Sequence, residues 1–200
     1  MSATGAAAAL PEVDHSEIVV VRHGETEWSA AGRHTGRTDL SLTESGRERA
    51  RALASELASW SFSLVLCSPL RRARETCELA GFGELAVPCE DLREWDYGDY
   101  EGLTTPEIRE RNPEWNLWRD GCPGGETPDQ VGRRADRALD RLRAAGGDAL
   151  AFAHGHILRV VTARWIGLEV AGGARFALGA GATGVLGYDR ETEVVARWNV

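Results

Sequence analysis

The chain has 200 residues, of which 42% are hydrophobic and 27% are charged, close to the averages for soluble globular domains. This length favours one domain with a sizeable core. A net charge of -8 argues against a nucleic-acid partner, because such proteins usually carry a broad basic face. No apolar run has the length needed to cross a bilayer, so we expect no membrane partner.

All 23 basic residues are arginine, and the sequence contains no lysine. Codon bias explains this absence more simply than selection for arginine. Whatever its cause, it excludes chemistry that depends on a lysine side chain, such as P-loop phosphate binding and Schiff-base catalysis.

The termini and cysteines bear on domain limits and compartment. Residues 1–15 are Ala-rich and lack the features of a secretory signal, so we expect a flexible tail before a domain that covers residues 16–200. The four cysteines show no C-x-x-C spacing, which favours free thiols over a disulfide framework or a zinc ribbon. Free thiols are typical of a cytoplasmic protein.

Apolar runs and helically spaced segments alternate along the chain, with turn residues between them. In chain order they predict a strand over 17–21, a helix over 41–59, a strand over 62–67, a helix over 68–81, a strand over 86–89, a helix over 127–145, a strand over 149–153, a helix over 155–166 and closing strands over 175–178, 183–188 and 194–198. Ser68-Pro69 supplies the capping residue and first-turn proline of the second helix.

No period persists from about residue 93 to 126, where Gly, Pro and Trp are dense. We interpret this segment as an irregular, lid-like excursion that crosses one end of the sheet. The alternation elsewhere indicates an α/β fold with three α/β/α layers and a largely parallel sheet.

Polar residues follow the predicted strands. Arg22 and His23 come after the first strand, Arg72 after the second, Glu94 after the third and His154 after the fourth. In open α/β sheets, ligands bind beyond the carboxyl ends of the strands. Two imidazoles, two guanidinium groups and one carboxylate at one rim outline a phosphoryl-transfer site.

The chemistry of phosphoryl transfer suits these residue types. Negative charge spreads over the phosphoryl oxygens, and Arg22 and Arg72 can offer fixed positive charge and paired hydrogen bonds. A neutral His23 can attack phosphorus, and His154 can hydrogen-bond the transferred group. Glu94 can protonate the leaving oxygen.

Several segments together resemble the histidine phosphatase, or phosphoglycerate mutase-like, superfamily. The matching segments are Val21-Arg22-His23-Gly24-Glu25-Thr26-Glu27-Trp28, Thr35-Gly36, Asp39-Leu40, Leu42-Thr43, Gly46, Ser68-Pro69-Leu70-Arg71-Arg72-Ala73 with Thr76, Leu92-Arg93-Glu94 with Tyr97-Gly98 and Glu101-Gly102, and Ala153-His154-Gly155. The resemblance covers roughly residues 18–167 and implies a six-stranded, mostly parallel sheet with one antiparallel edge strand.

The resemblance also implies roles for individual residues. His23 is the phosphorylated nucleophile, Arg22, Arg72 and His154 form the phosphate pocket, and Glu94 is the proton donor. Further phosphate or substrate contacts are expected from Ser29, His34, Thr35, Gly36 and Gly155. Many members of the superfamily carry Asn where this chain has Ser29, so a hydroxyl replaces an amide at that contact.

Hydrolysis is favoured over a mutase reaction, because the family's cofactor-dependent mutases use a lysine and a longer insertion after the acidic residue. The excursion resembles that of sedoheptulose-1,7-bisphosphatases and small bacterial acid phosphatases, which implies a sugar phosphate or bisphosphate as substrate. There Arg119 could pair with a distal phosphate. Trp115 and Trp118 could line the sugar site, with packing of the irregular segment as the alternative. A phosphoglycerate mutase and a non-catalytic phospho-ligand-binding member remain the alternatives.

No cofactor or metal ion is expected. His154 and His156 lie two residues apart, but no carboxylate near them completes a metal triad, and the role of His156 stays open. A homodimer is compatible with the sequence. The arginines of the predicted helices are interpreted as solvated helix faces, namely Arg71, Arg74, Arg133, Arg134 and Arg137.

Overall fold

The computed structural model describes residues 16–200, so the predicted tail over 1–15 lies outside the described residues. The strands are β1 (Ile18–Arg22), β2 (Leu64–Cys67), β3 (Ala86–Pro88), β4 (Ala149–Ala153), β5 (Thr183–Asp189) and β6 (Thr192–Trp198). They form one sheet in the order β3-β2-β4-β1-β5-β6.

The direction of the strands confirms a mostly parallel, six-stranded sheet. Strands β1 to β4 pair with one another only in parallel, whereas β5 pairs antiparallel with β1 and β6 pairs antiparallel with β5. It follows that β5 alone runs against the others, and it lies second from the edge of the sheet.

The helices are α1 (Glu27–Ala30), α2 (Glu44–Glu56), α3 (Arg71–Leu79), α4 (Thr105–Arg111), α5 (Leu117–Asp120), α6 (Pro128–Arg143) and α7 (Gly155–Trp165). Local sequence explains the limits of α6. Thr127 and Gln130 form a capping box at its start, and Pro128 occupies the first turn, where its missing N–H costs nothing. Gly146, with a φ of 69°, turns the chain away after its end.

The structure differs from two of the predicted elements: one helix is confirmed but starts later, and one closing strand is absent. Helix α3 starts at Arg71 rather than at Ser68-Pro69, because the Ser68 hydroxyl faces the His154 ring and caps no helix. Residues 175–178 form no strand. A 3₁₀ helix over Val170–Arg175 reaches the start of this segment, and the carbonyl oxygen of Leu178 at its end accepts from Arg22 Nη1 instead of pairing in the sheet. The excursion also holds more structure than expected, including α4 and α5.

Helices cover both faces of the sheet. Along β1, Ile18 and Val20 belong to one buried cluster, which includes side chains of α6 and α7. Val19 and Val21 belong to a second cluster, which includes side chains of α2 and α3. This alternation is the period of a strand buried on both faces, and it confirms the three-layer arrangement. Within residues 16–200, no helix is both long and apolar enough to span a membrane.

Candidate active site

The two predicted imidazoles face each other. Strands β1 and β4 are parallel neighbours in which Arg22 pairs with Ala153, so the next residues, His23 and His154, leave the sheet side by side. Their ring centroids are 5.1 Å apart, and both residues are buried. Sheet register alone therefore places the two imidazoles together.

The hydrogen bond of His23 assigns its tautomer. Its Nδ1 lies 2.7 Å from the carbonyl oxygen of Gly24, and because a carbonyl can only accept, Nδ1 carries the proton. The lone pair of Nε2 is then free. Burial, followed by the positive charges of Arg72 and Arg22, holds the pKa of His23 well below its usual value. A buried, neutral imidazole with a free Nε2 can act as a nucleophile.

His154 is more constrained. Arg72 Nε donates to its Nδ1 at 3.1 Å, so the proton of the neutral ring is on Nε2, which lies 2.7 Å from Ser68 Oγ. Burial and then the charge of Arg72 keep the pKa of His154 well below its usual value. A phosphoryl oxygen would have to compete with Ser68 for the Nε2 proton. The sequence predicts a helix cap for Ser68 and places it in the family motif, but it indicates no contact with His154.

Arg72 is fully buried and bonded almost entirely to the protein. Besides His154, it donates from Nη1 to Thr38 O at 3.0 Å and from Nη2 to Thr35 O and Gly36 O at 2.8 and 3.1 Å. Four of its five N–H groups are used in this way. Thr35 and Gly36 thus contribute carbonyl groups that hold the arginine.

Arg22 contrasts with Arg72. One of its nitrogens, Nη1, donates to the carbonyl oxygen of Leu178. In the described part of the chain its buried Nε has no hydrogen-bond partner. Burial also lowers the pKa of Arg22 from its usual value. Buried donors without partners are rare in native proteins. Arg22 also lines the cavity described below, so the N–H groups that it does not give to the protein can bind a ligand oxygen.

Glu94 lies at the amino end of α7. Its Oε1 accepts from the backbone N–H groups of Trp95 and Ile157 at 2.9 and 3.0 Å, and its Oε2 accepts from that of His156 at 3.0 Å. The amino end of a helix favours a carboxylate. Both lone pairs of Oε1 are used, whereas Oε2 keeps one that can hold a proton.

His23, Arg22 and Glu94 line one cavity of about 250 Å³. Of the other predicted contacts, Ser29, His34, Thr35 and Gly155 also line it. The lining residues for which the sequence predicts no substrate contact include Arg33, Tyr97, His156 and Arg159. The family motif includes Tyr97, but only the folded chain shows that the other three face the cavity.

Three predicted substrate contacts in the excursion do not line this cavity. Trp115 is buried, and its Nε1 donates to Gly121 O at 2.8 Å. Trp118 lies behind the wall, with the guanidinium carbon of Arg159 4.6 Å from its ring centroid. Arg119 is exposed and pairs with the neighbouring Asp120 at 2.6 Å, so its predicted contact with a distal phosphate is wrong.

Ser29 lines the cavity, but its hydroxyl is committed to the start of α1. The Oγ accepts from Thr26 N at 2.9 Å and donates to Thr26 O at 3.0 Å. The first of these bonds and the one from Ser29 N to Thr26 Oγ1 at 3.1 Å form a capping box. The second directs the hydroxyl proton to Thr26 O rather than to a phosphate. Gly36 also makes a structural contact, because its N–H donates to the Glu101 carboxylate at 3.0 Å.

The possible metal pair is not assembled. His154 has protein partners at both ring nitrogens, and His156 Nδ1 lies 2.6 Å from the Tyr97 hydroxyl. Among residues 16–200, no group of three or more His, Cys, Asp or Glu side chains is placed to hold a metal ion.

His23, Arg22 and Glu94 line the cavity, whereas His154 and Arg72 lie buried beside it, with the His154 ring 5.1 Å from that of His23. An imidazole, a guanidinium group and a carboxylate at one cavity of an α/β sheet define a phosphoryl-transfer enzyme. Residues 18–200 match the histidine phosphatase superfamily, branch 1. The chain belongs to this superfamily and is a phosphatase.

Individual relatives agree with this assignment. The chain is 43% identical over 188 residues to an acid phosphatase of Mycobacterium tuberculosis, with 92% of each chain covered. It is 40% identical over 185 residues to the sedoheptulose 1,7-bisphosphatase of Saccharomyces cerevisiae, covering 76% of this chain and 68% of the yeast protein. The solved structure of a Mycobacterium tuberculosis open reading frame product superposes with a TM-score of 0.88 at 41% identity, covering 92% of this chain and 97% of that one.

Proposed function

We propose that this phosphatase hydrolyses a small sugar phosphate or bisphosphate through a phosphohistidine intermediate on His23. The observation that carries the proposal is the free Nε2 of the neutral His23, a residue that lines the same cavity as the guanidinium group of Arg22. One group can attack phosphorus, and the other can bind a phosphoryl oxygen.

In the first step, His23 Nε2 attacks phosphorus with its lone pair. The nitrogen–phosphorus bond forms while the bond from phosphorus to the sugar oxygen breaks, and the electron pair stays on that oxygen. A proton held on Glu94 Oε2 passes to the sugar oxygen, which leaves as a hydroxyl group. Arg22 binds the phosphoryl oxygens during transfer, and Arg72 adds fixed positive charge beside His23. His154 offers its Nε2 proton to a phosphoryl oxygen in competition with Ser68.

In the second step, water attacks the phosphohistidine. The Glu94 carboxylate accepts a proton from this water. The nitrogen–phosphorus bond breaks, its electron pair returns to His23 Nε2, and inorganic phosphate leaves. The enzyme is then ready for the next substrate.

The outer wall of the cavity supports a substrate with a second anionic group. Arg159 donates from Nε to Gly173 O at 3.0 Å and from Nη2 to Ala174 O, which leaves Nη1 for a ligand. Arg33, His34 and His156 complete this wall. We therefore assign to Arg159 the contact with a distal phosphate that the sequence predicts for Arg119. The bisphosphatase name of the yeast relative supports the same substrate class.

A panel of sugar monophosphates, sugar bisphosphates and 3-phosphoglycerate tests the proposal. We expect release of inorganic phosphate, a phosphohistidine that forms on labelling, and no effect of added chelator. We expect His23→Asn to lose at least about 10³-fold in kcat, with Arg119→Met as the exposed control. Formation of 2-phosphoglycerate without phosphate release would instead indicate a mutase, and full turnover by His23→Asn would end the proposal.

We also infer a reducing, cytoplasmic location from four buried free thiols, Cys67, Cys77, Cys89 and Cys122. A homodimer stays a prediction, which sedimentation of the purified protein tests.

A further inference from the structure

Arg134 on α6 is buried, so its prediction as part of a solvated helix face is wrong. Its five N–H groups all have acceptors. Nε and Nη2 bind the two carboxylate oxygens of Glu126 at 2.8 Å each. Nη1 donates to Asp91 O at 2.9 Å and to Arg93 O at 2.6 Å, and Nη2 also donates to Glu94 O at 3.1 Å.

Helix periodicity explains this burial. Arg134 lies three residues after Val131 and four before Ala138, and both of these are buried against the sheet. Position 134 therefore falls on the inward stripe of α6. A guanidinium group in such a place requires a counter-ion and hydrogen-bond acceptors, which Glu126 and three carbonyl groups provide.

Glu126 binds the same loop from the other side of Glu94. Its Oε2 accepts from Asp96 N at 2.9 Å, and its backbone N–H donates to Asp96 O at 2.9 Å. Its carbonyl oxygen accepts from Trp95 Nε1 at 2.9 Å. The pair of Arg134 and Glu126 thus holds the chain immediately before and immediately after Glu94.

The Glu94 carboxylate is fixed from the opposite direction by the N–H groups at the start of α7. The loop over residues 91–96 is consequently held between α6, which binds its carbonyl groups, and α7, which binds the carboxylate. A shift of the backbone would move Oε2 relative to the cavity.

We propose that Arg134, paired with Glu126, is a positioning residue that holds the Glu94 carboxyl group within reach of the leaving oxygen. The proposal rests on the proposed function. Arg134 does not line the cavity that contains His23, so it acts through Glu94. Its loss is expected to slow the step in which Glu94 transfers a proton and to leave phosphate binding intact.

The test compares two leaving groups. An alkyl oxygen of a sugar phosphate needs a proton as it leaves, whereas the phenolate of p-nitrophenyl phosphate is stable without one. The rate to measure is phosphohistidine formation before the steady state, because Glu94 also serves the later hydrolysis step. For Arg134→Met we expect this rate to fall by about 10²-fold with the sugar phosphate and by less than about 10-fold with the aryl phosphate.

Glu94→Gln is the reference variant. We expect it to slow phosphohistidine formation more with the sugar phosphate than with the aryl phosphate, in the same ratio as Arg134→Met. The double variant is expected to be no slower than Glu94→Gln alone, since both changes act on one proton transfer. Arg134→Lys keeps the charge but not the paired geometry, so we expect partial recovery.

Arg137→Met is the matched control. Arg137 lies on the same helix and pairs with the side chain of Asp91 at 2.5 Å, but its side chain is 60% exposed. Both rates are expected to stay at the wild-type level. Urea unfolding checks that each variant folds, and Glu126→Gln, which keeps the shape of the partner, replaces Arg134→Met if that variant does not fold.

Equal losses on both substrates in a folded variant, or no loss on either, would overturn the positioning role of Arg134. A wild-type protein that forms no phosphohistidine would instead overturn the proposed function. The two failures are therefore distinguishable.

Discussion

Arg22 and Arg72 lie beside His23 and His154, and these four residues form what we call the inner end of the site. The two arginines are equivalent by sequence and different in the structure. Arg72 uses four N–H groups on protein acceptors, whereas the buried Nε of Arg22 has no partner in the described residues. A saturated guanidinium acts mainly through its charge and through the groups that it holds. An unsaturated one keeps its hydrogen bonds for a ligand. Similar residues can thus divide the work of building a site and of binding at it.

The largest expected effect follows from removing Arg72. Arg72→Met leaves the carbonyl groups of Thr35, Gly36 and Thr38 and the Nδ1 of His154 without their donor. Buried acceptors without donors are costly, so we expect the free energy of unfolding in urea to fall by about 3 kcal/mol or more, together with activity. A loss below about 1 kcal/mol would show that these bonds contribute little.

Arg22→Met is expected to lower activity strongly while changing stability little. Because Arg22 makes few bonds to the protein, the free energy of unfolding is expected to change by less than about 1 kcal/mol. The loss of a donor to the phosphoryl group is expected to reduce kcat/KM by about 10²- to 10³-fold. Inorganic phosphate is expected to raise the Tm of the wild type more than that of the variant. Equal losses of unfolding free energy in Arg22→Met and Arg72→Met would contradict the difference between the two arginines.

The two buried histidines, His23 and His154, are expected to make the stability of the protein depend on pH. Burial and Arg72 lower the pKa of His23 and His154 in the folded state, while the unfolded state keeps values near 6.5. Below pH 6.5 the unfolded chain binds more protons, so this stability is fully present above 6.5 and is lost as the pH falls towards the folded values. Each such histidine is expected to remove about 1.4 kcal/mol per pH unit over that window.

Urea unfolding at about pH 7.5 and about pH 5.5 measures how much the free energy of unfolding changes with pH. His154→Asn is expected to make this change smaller, because one of the groups that must be protonated is removed. The acid limb of kcat/KM, which reports protonation of His23, is expected below pH 6.5. An acid limb above that value would contradict the lowered pKa of the nucleophile.

The inner end was largely predictable from the sequence, because it depends on strand register. Arg22, His23 and His154 directly follow strands whose apolar patterns are clear, and parallel neighbours bring their carboxyl ends together. The role of Ser68 was missed, because a Ser-Pro pair predicts a helix start equally well. Whether that hydroxyl caps a helix or meets His154 is decided by tertiary packing.

The outer wall was not predictable in the same way. Arg159 lies on α7, but its exposure to the cavity depends on the path of the excursion, which has no period. The prediction for Arg119 failed for the same reason, since its orientation is set by a short helix and by Asp120 beside it. The burial of Arg134 was predictable from the sequence, because the helical spacing of its apolar neighbours places it on the inward side of α6.

The outer wall yields a smaller effect that depends on the substrate. Arg159→Met is expected to raise KM about 10-fold for a sugar bisphosphate, because one charged contact to the distal anion is lost. KM for a sugar monophosphate and the free energy of unfolding are expected to change little. Arg119→Met, on an exposed side chain, is the matched control and is expected to leave both KM values unchanged. Equal effects of the two variants would remove the distal role of Arg159.

The smallest effect is expected at Ser29, where the resemblance to the family and the structure differ most. The family position implies a phosphate contact, but both bonds of the hydroxyl are made to Thr26. Ser29→Ala is therefore expected to lower the free energy of unfolding by about 0.5–1 kcal/mol, the range for a helix cap, and to leave kcat/KM within about twofold of the wild type. Steady-state kinetics and urea unfolding on one preparation separate the two roles. A tenfold loss of kcat/KM at unchanged stability would show that the hydroxyl turns from Thr26 to the phosphate when substrate binds, because only a bond absent from the free enzyme could have that effect.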